Sequence, residues 1–142
     1  MKIKWFENGV LHESFCSLRK DVFVEEQGFP SKEEFDDFDN ICPHVAIFCN
    51  ENICATGRYI EISADTVKIG RIAVKKSERK KGYGAVCVKE LLNHAKNAGY
   101  KKAFVGAQTH AVKFYEKCGF TLCEGEPYLE CNIPHVDMEI VL

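Results

Sequence analysis

Apolar residues recur every three or four positions in three stretches of the chain, the spacing that buries one face of a helix. In the first stretch, Phe15, Leu18 and Val22 share such a face. Gly99 and Gly119 follow the second and third stretches, where glycine commonly ends a helix. The pattern predicts helices over Leu11–Val24, Gly84–Asn97 and Ala111–Cys118.

Apolar runs bounded by turn residues predict seven strands. Asn50-Glu51-Asn52 separates two of the runs and is typical of a hairpin, whereas Gly28-Phe29-Pro30-Ser31 opens a loop with one short helical turn. The strands are predicted at Ile3–Phe6, Val45–Cys49, Ile53–Ile62, Thr66–Val74, Ala103–Ala107, Phe120–Cys123 and Val136–Val141. The order β-α-β-β-β-α-β-α-β-β indicates an α+β or α/β fold with a mixed sheet.

The run Thr66–Val74 changes its alternation in the middle. Val67 and Ile69 have one parity, Ile72 and Val74 have the other, and Gly70 lies at the change. Because side chains alternate between the two faces of a strand, this pattern predicts a β-bulge near Gly70–Arg71. The alternative is a strand buried on both faces. A bulge leaves backbone groups unpaired, and such groups can bind a peptide-like ligand.

The composition is that of an ordinary globular protein, with 142 residues, 46% hydrophobic and 28% charged, and it predicts one domain over residues 1–142. No apolar run approaches the ~20 residues of a membrane helix, and the start has no signal-peptide core. We expect a cytoplasmic protein without a membrane partner, either a monomer or a homodimer. The net charge of -2 argues against a nucleic-acid partner, although contact through Lys75–Lys81 is an alternative.

Eight cysteines are present, but no C-x-x-C occurs. Cys49, Cys54 and Cys87 lie in apolar runs, as buried thiols do. Cys42, His44 and Cys49 lack the paired spacing of zinc ligands, so we expect no metal and reduced thiols. A redox role, for example at Cys118, stays open.

Charge is unevenly distributed along the chain. Seven acidic residues lie between Glu25 and Asp39, whereas seven basic residues and one glutamate lie between Lys68 and Lys81. The acidic segment predicts either a surface that attracts a cationic substrate or a solvated loop.

The stretch Glu78–Gly84, ERKKGYG, leads from a predicted strand into the strongest predicted helix. Free amides at a helix N-terminus bind anions, glycines allow close approach, and basic side chains add charge-assisted hydrogen bonds. The stretch fits neither a P-loop nor a Rossmann fingerprint. It therefore predicts a phosphate site of another kind, and the alternative is a solvated basic turn.

Two segments carry a family resemblance. Arg71–Leu92, RIAVKKSERKKGYGAVCVKELL, resembles the R/Q-x-x-G-x-G/A coenzyme signature of the Gcn5-related N-acetyltransferase (GNAT) superfamily. Ala107–Phe120, AQTHAVKFYEKCGF, resembles its A-x-x-F-Y-x-x-x-G-F segment. Nearly the whole chain is similar to the bacterial ElaA/YjcF-type subgroup, through the segments Arg19–Gln27, Glu34–Asp39, His44, Ile133–His135 and Met138.

The resemblance implies an α+β domain of three layers, with a bent mixed sheet, flanking helices and a splay between the fourth and fifth strands. It implies acetyl-coenzyme A as co-substrate, with pantetheine on the backbone of one strand and pyrophosphate on the loop before the helix. The implied contacts are Ile72, Ala73, Val74, Arg79, Lys80, Lys81, Gly82, Tyr83, Gly84, Gln108 and Phe114.

The implied reaction is direct acetyl transfer to a primary amine, of a small molecule or a peptide, in a ternary complex without metal. Tyr115 is implied as the general acid beside the sulfur, although it is alternatively a core aromatic. Glu26, His44 and His135 are candidates for the base, and the alternative for the histidines is a structural role. A non-catalytic sensor of acyl-coenzyme A is the alternative function.

Overall fold

The computed structural model of the chain describes residues 1–142 and contains one sheet of eight strands. The strands are β1 Lys2–Phe6, β2 His44–Cys49, β3 Asn52–Ser63, β4 Thr66–Val74, β5 Lys102–Gln108, β6 Thr121–Leu122, β7 Tyr128–Glu130 and β8 Ile133–Val141. Their order in the sheet is β1-β2-β3-β4-β5-β8-β6, with β7 paired to β8, and neighbouring strands are antiparallel except for the parallel pair β4 and β5. The predicted mixed sheet and α+β class are confirmed.

Strand β7 is the element that the sequence pattern did not predict. It forms a hairpin with β8 through Cys131 and Asn132, whose φ angles are 49° and 64°. Two central residues with positive φ form a type I′ turn, which usually contains Asn-Gly or Asp-Gly. Cys131-Asn132 lacks the glycine, so the turn signal was weak.

The helices are α1 Glu13–Arg19, α2 Ser31–Glu34, α3 Tyr83–Asn97 and α4 Val112–Lys117, and a π-helical segment, Lys20–Glu26, continues α1. The first predicted helix starts two residues late because His12 caps it, accepting a hydrogen bond from the Ser14 amide. Its second half widens into the π-helix, in which the Gln27 amide bonds to the Val22 carbonyl. No helix combines the length and the apolar character needed to span a membrane.

Helices cover both faces of the sheet, which gives the three expected layers. On one face, α3 buries Cys87 and Leu91 against β3, and a Cβ added to Gly57 would lie 2.8 Å from atoms of both. On the other face, Phe15 of α1 packs against Phe6 of β1. Gly57 therefore allows the closest approach of helix and sheet.

The predicted β-bulge is confirmed in β4. Thr56 pairs with Ala73 and Arg58 pairs with Gly70, so one residue of β3 faces two of β4. Arg71, one of those two, has a φ of 49°. The extra residue keeps the apolar side chains of both halves of β4 in the main core, which resolves the change of alternation.

Strands β4 and β5 separate beyond the bulge. Their pairing ends at Ile69–Val105, although β4 continues to Val74 and β5 continues to Gln108. The carboxyl halves of two neighbouring strands thus have backbone edges that face each other without pairing. The opening is the splay that the resemblance implied between the fourth and fifth strands.

Candidate active site between the fourth and fifth strands

A cleft of about 290 Å³ fills the opening between β4 and β5. Residues of β4 and β5 line it, together with Gly84 of α3 and with Phe114 and Tyr115 of α4. The acidic segment and the β7–β8 hairpin close one side. Of the predicted site residues, the cleft is lined by Ile72, Val74, Gly84, Gln108, Phe114, Tyr115 and His135.

The first turn of α3 presents free backbone donors beside this cleft. The amides of Tyr83, Gly84 and Ala85 have no partner in the protein, no side chain caps the helix, and Val86 is the first residue whose amide bonds back, to the Gly82 carbonyl at 3.2 Å. Gly82 has a φ of 89°, a conformation that favours glycine. Free amides and the helix dipole together suit a phosphate group, so this turn fits the diphosphate of a coenzyme.

Gly84 allows a close approach of three elements. A Cβ at this position would lie 3.3 Å from Cζ of Phe114 in α4 and 3.5 Å from Cγ2 of Val74 in β4. A larger residue would therefore push the helix N-terminus away from the floor of the cleft.

Arg79 is held between the strand and the acidic side of the molecule. Its Nε donates to the Val74 carbonyl at 3.1 Å, and its two Nη atoms donate to the Glu26 carboxylate at 2.7 Å each. The hydrogen bond from Arg79 holds the pKa of Glu26 below its usual value, although burial opposes this. Glu26 is therefore a weak base, and its carboxylate occupies the fork of a guanidinium that also suits phosphate.

Tyr115 is a buried residue that lines the cleft. Its hydroxyl has no hydrogen-bond partner in the protein. Its ring packs edge-on against Phe114 and Phe120, with centroid distances of 5.0 Å and 5.7 Å. Burial raises the pKa of Tyr115, so the hydroxyl keeps its proton. The residue thus keeps a hydrogen-bond donor, and it belongs both to the lining of the cleft and to the main hydrophobic core.

His135 lies in β8 opposite Gln108 of β5 and is 4% exposed. Its Nδ1 lies 2.7 Å from the Ile133 carbonyl oxygen, and since a carbonyl only accepts, Nδ1 carries the proton. Nε2 is then an acceptor in the neutral ring, with the Glu130 carboxylate 3.6 Å away. This arrangement leaves Nε2 free to accept a proton.

Gln108 takes part in a short polar chain at the end of β5. Its Nε2 donates to Oε1 of Gln27 at 2.9 Å, and its Oε1 lies 2.6 Å from Nε2 of His110. Gln108 thus connects the end of the π-helical segment to the start of α4 across the cleft.

The structure does not bring His44 or the side chain of Ala73 to the cleft. His44 is fully buried, stacks on Phe15 with a centroid distance of 4.4 Å and contacts Asp39. Burial lowers the pKa of His44, against the hydrogen bond to Asp39, and its Nδ1 has no partner. Ala73 packs against Leu18, so only its backbone faces the opening.

A group of charged side chains, of which Arg19, Glu34, Asp39 and Arg58 are buried, connects the acidic segment to the sheet, and we call it the ion-pair network. Arg19 donates to Glu34 and to Asp39 at 2.7 Å each, and Arg58 donates to Asp39 at 2.7 Å. Burial alone would raise the pKa of Asp39, but hydrogen bonds from His44 and Arg19 outweigh it and hold the pKa well below its usual value. The members of the network are Arg19, Glu34, Asp36, Asp39, Arg58 and Arg71.

The bulge directs Arg71 into this network. Arg71 donates to the Glu33 and Glu34 carbonyls at 3.0 Å and 3.1 Å, which fixes both residues at the wall of the cleft. Sequence reasoning missed the network because a run of acidic residues is usually a solvated surface. The available signal was the set of arginines spread over the helix and the strands.

The ion-pair network also makes a metal site unfavourable. Asp39, Cys42 and His44 have potential ligand atoms within 4.8 Å of one another. The Asp39 oxygens, however, already accept hydrogen bonds from Arg19 and Arg58, so a cation there would face two guanidinium groups.

Comparison with known proteins gives consistent matches. The family model of the acetyltransferase (GNAT) domain matches residues 43–142. YjcF, an uncharacterised N-acetyltransferase of Bacillus subtilis, is 35% identical over 121 residues, which cover 85% of this chain and 86% of YjcF.

Two solved structures share the whole fold. An acyl-CoA N-acyltransferase from Pseudomonas aeruginosa has a TM-score of 0.85 and 26% identity, covering 98% of this chain and 99% of that one. ElaA of Escherichia coli has a TM-score of 0.82 and 27% identity, covering 97% of this chain and 99% of that one.

Proposed function

The chain belongs to the GNAT family of N-acetyltransferases, and from this premise we propose that it transfers the acetyl group of acetyl-coenzyme A to a primary amine in a ternary complex. The observation that carries the proposal is the set of unpaired amides at Tyr83–Ala85, of which Gly84 lines the cleft between β4 and β5. The Pseudomonas aeruginosa relative, by its name an acyl-CoA N-acyltransferase, supports the same donor.

In this proposal the basic loop Arg79–Gly84 binds the diphosphate. The amides of the first turn of α3 donate to phosphate oxygens, and Arg79 exchanges its Glu26 partner for phosphate. The edge of β4 from Ile72 to Val74 that faces β5 without pairing to it receives the pantetheine arm, as a sheet edge would receive an added strand. The thioester then lies between Phe114 and Tyr115, both of which line the cleft.

The acceptor must lose a proton before it attacks. For a lysine-like amine this costs roughly 4.6 kcal/mol at pH 7. His135 accepts that proton at Nε2, because its Nδ1 proton is held by the Ile133 carbonyl. The amine nitrogen forms a bond to the carbonyl carbon, the carbon–sulfur bond breaks, and sulfur leaves with the electron pair.

Tyr115 stabilises the leaving sulfur. Because a buried tyrosine is a weaker acid than a thiol, we assign it a hydrogen bond to the developing thiolate and not a completed proton transfer. The amine enters from the side lined by Glu33 and Glu130, whose carboxylates favour a cationic group. The volume of the cleft suits a small molecule or a single peptide side chain.

The test is Tyr115→Phe. We expect turnover to fall by about 10²-fold, the usual cost of one lost donor to a developing charge, while coenzyme A affinity changes less than about twofold. Turnover is measured by thiol release over a panel of amines, and affinity is measured by calorimetry. Tyr100→Phe, far from the cleft, is the matched control.

Three outcomes distinguish the possibilities. Unchanged turnover in Tyr115→Phe removes this residue from the mechanism. Coenzyme binding by the unaltered protein without acetylation of any amine favours an acyl-coenzyme A sensor. Failure to bind coenzyme A at millimolar concentration rejects both.

A further inference from the structure

Two thiols meet in the hairpin of β2 and β3. The sulfur atoms of Cys49 and Cys54 lie 2.8 Å apart, and no other pair of the eight cysteines is in such contact. The hairpin turns at Asn50 and Glu51, with φ angles of 53° and 68°. Phe48 pairs with Ile53 and Ile47 pairs with Ala55. One of the two cysteines, Cys54, is therefore the extra residue of a β-bulge in β3.

We propose that Cys49 and Cys54 form a site of reversible intramolecular disulfide formation. The oxidant is a hydroperoxide. The Cys49 sulfur attacks the peroxide oxygen, which breaks the O–O bond, gives a sulfenic acid and releases an alcohol or water. The Cys54 thiol then attacks that sulfur and releases water, so two thiols have been oxidised by two electrons. A dithiol reductant reverses the step.

The exposure of the two residues fixes their order of reaction. Cys49 is partly exposed, whereas Cys54 is 1% exposed, so an oxidant reaches Cys49 first. Burial raises the pKa of Cys54 to about 12, so this sulfur stays protonated and does not react with the oxidant before Cys49 does. The 2.8 Å separation requires less than about 1 Å of movement to reach the length of an S–S bond.

The two cysteines also lie near the chain segment that forms the basic loop Arg79–Gly84. Cys49 and Tyr83, the first residue of α3, both pack against the main hydrophobic core. The Lys75 amide donates to the Cys54 carbonyl at 2.9 Å. Disulfide formation moves Cys54 and disturbs its hydrogen bond with Lys75, which leads into the basic loop, so coenzyme A should bind more weakly. This consequence rests on the proposed function, but formation of the disulfide does not.

The experiment exposes the whole protein to hydrogen peroxide, alkylates the remaining thiols and maps the peptides by mass spectrometry. We expect a peptide pair joined at Cys49 and Cys54 that has lost two hydrogen atoms and is restored by dithiothreitol. In Cys54→Ser, Cys49 should accumulate sulfenic acid that dimedone traps. Cys118→Ser is the matched control and should still form the bridge.

The proposal is overturned if both thiols stay alkylatable, or if bridges to other cysteines form as fast. A separate titration compares coenzyme A binding by reduced and oxidised protein, with an expected weakening of roughly three- to tenfold, the value of one hydrogen bond. Equal affinities overturn only the coupling to the loop. Absence of binding by reduced protein overturns the proposed function and leaves the disulfide test unaffected.

Discussion

Two charged regions border the cleft, and they differ in how their polar groups are satisfied. In the ion-pair network, each of the three guanidiniums meets at least one carboxylate, and Arg19 and Asp39 are almost without solvent contact. In the basic loop, Arg79 has a partner, but the amides of the first turn of α3 have none. Density of charge therefore does not mark a binding site, whereas unsatisfied donors beside a cavity do.

The difference also separates stability from binding. A buried ion pair adds little net stability when intact, because desolvation offsets the attraction, but losing one partner leaves a buried charge uncompensated. An exposed loop contributes little to folding. Substitutions in the ion-pair network should therefore change the free energy of unfolding, and substitutions in the basic loop should change coenzyme affinity.

The largest effect is expected for Arg19→Met. The variant leaves the Glu34 and Asp39 carboxylates buried without their main partner, so the free energy of unfolding should fall by about 3–5 kcal/mol. The measurement is urea unfolding followed by circular dichroism. Lys20→Met, at an exposed neighbouring position, is the control and should change stability by less than about 0.5 kcal/mol. Equal midpoints for the two variants would contradict the role of the ion-pair network.

A smaller effect is expected on the pH dependence of stability through His44. Burial lowers the pKa of His44, so the folded protein keeps this ring neutral at a pH where the unfolded chain protonates it, below about 6.5. The unfolded state then binds more protons, and stability falls as the pH falls, by up to about 1.4 kcal/mol per pH unit.

The check compares the wild type with His44→Gln in unfolding experiments between about pH 7 and pH 5. The variant should lose that part of the pH slope, whereas His12→Gln, an exposed control, should keep it. Parallel slopes for all three proteins would show that His44 protonates equally in both states.

The smallest effects are expected in the basic loop. Arg79→Gln should weaken coenzyme A binding by about tenfold, because a charge-assisted hydrogen bond to phosphate is lost, without a change in unfolding. Calorimetry at low and high salt should show the difference shrinking as salt is added.

Glu26→Gln is the matched variant for this measurement, since it releases the Arg79 guanidinium from its carboxylate partner. An exposed ion pair is worth about 0.2–1 kcal/mol, so affinity should rise by up to roughly fivefold. If both variants weaken binding, Glu26 contributes to the coenzyme site directly and does not compete for it.

The fold was predictable to the extent that it depends on local pattern. All seven predicted strands, the strong helix from Tyr83 and the bulge at Arg71 follow from alternation, helical spacing and a parity change. The hairpin strand Tyr128–Glu130 was not predicted, because its turn uses Cys131-Asn132 without glycine. The π-helical widening of the first helix leaves no signal in apolar spacing.

The candidate site was predictable only in part, and for a different reason. The basic loop and Tyr115 belong to short contiguous motifs, so residues that are close in the sequence are also close in the structure. His44 was grouped with the site by resemblance, but its neighbours Arg19 and Asp39 come from distant segments and bury it elsewhere. The contact of Cys49 with Cys54 depends on a bulge that spacing alone does not reveal.

The extra residue at Arg71 has one more consequence. It lets β4 bury its apolar side chains along the whole strand, although the edge that faces β5 makes no backbone pairing after Ile69. The gap between the two strands therefore forms as the chain folds, before any ligand binds. A ligand whose amide groups hydrogen-bond to this strand edge binds to a preorganised site, so its binding costs little conformational entropy of the chain.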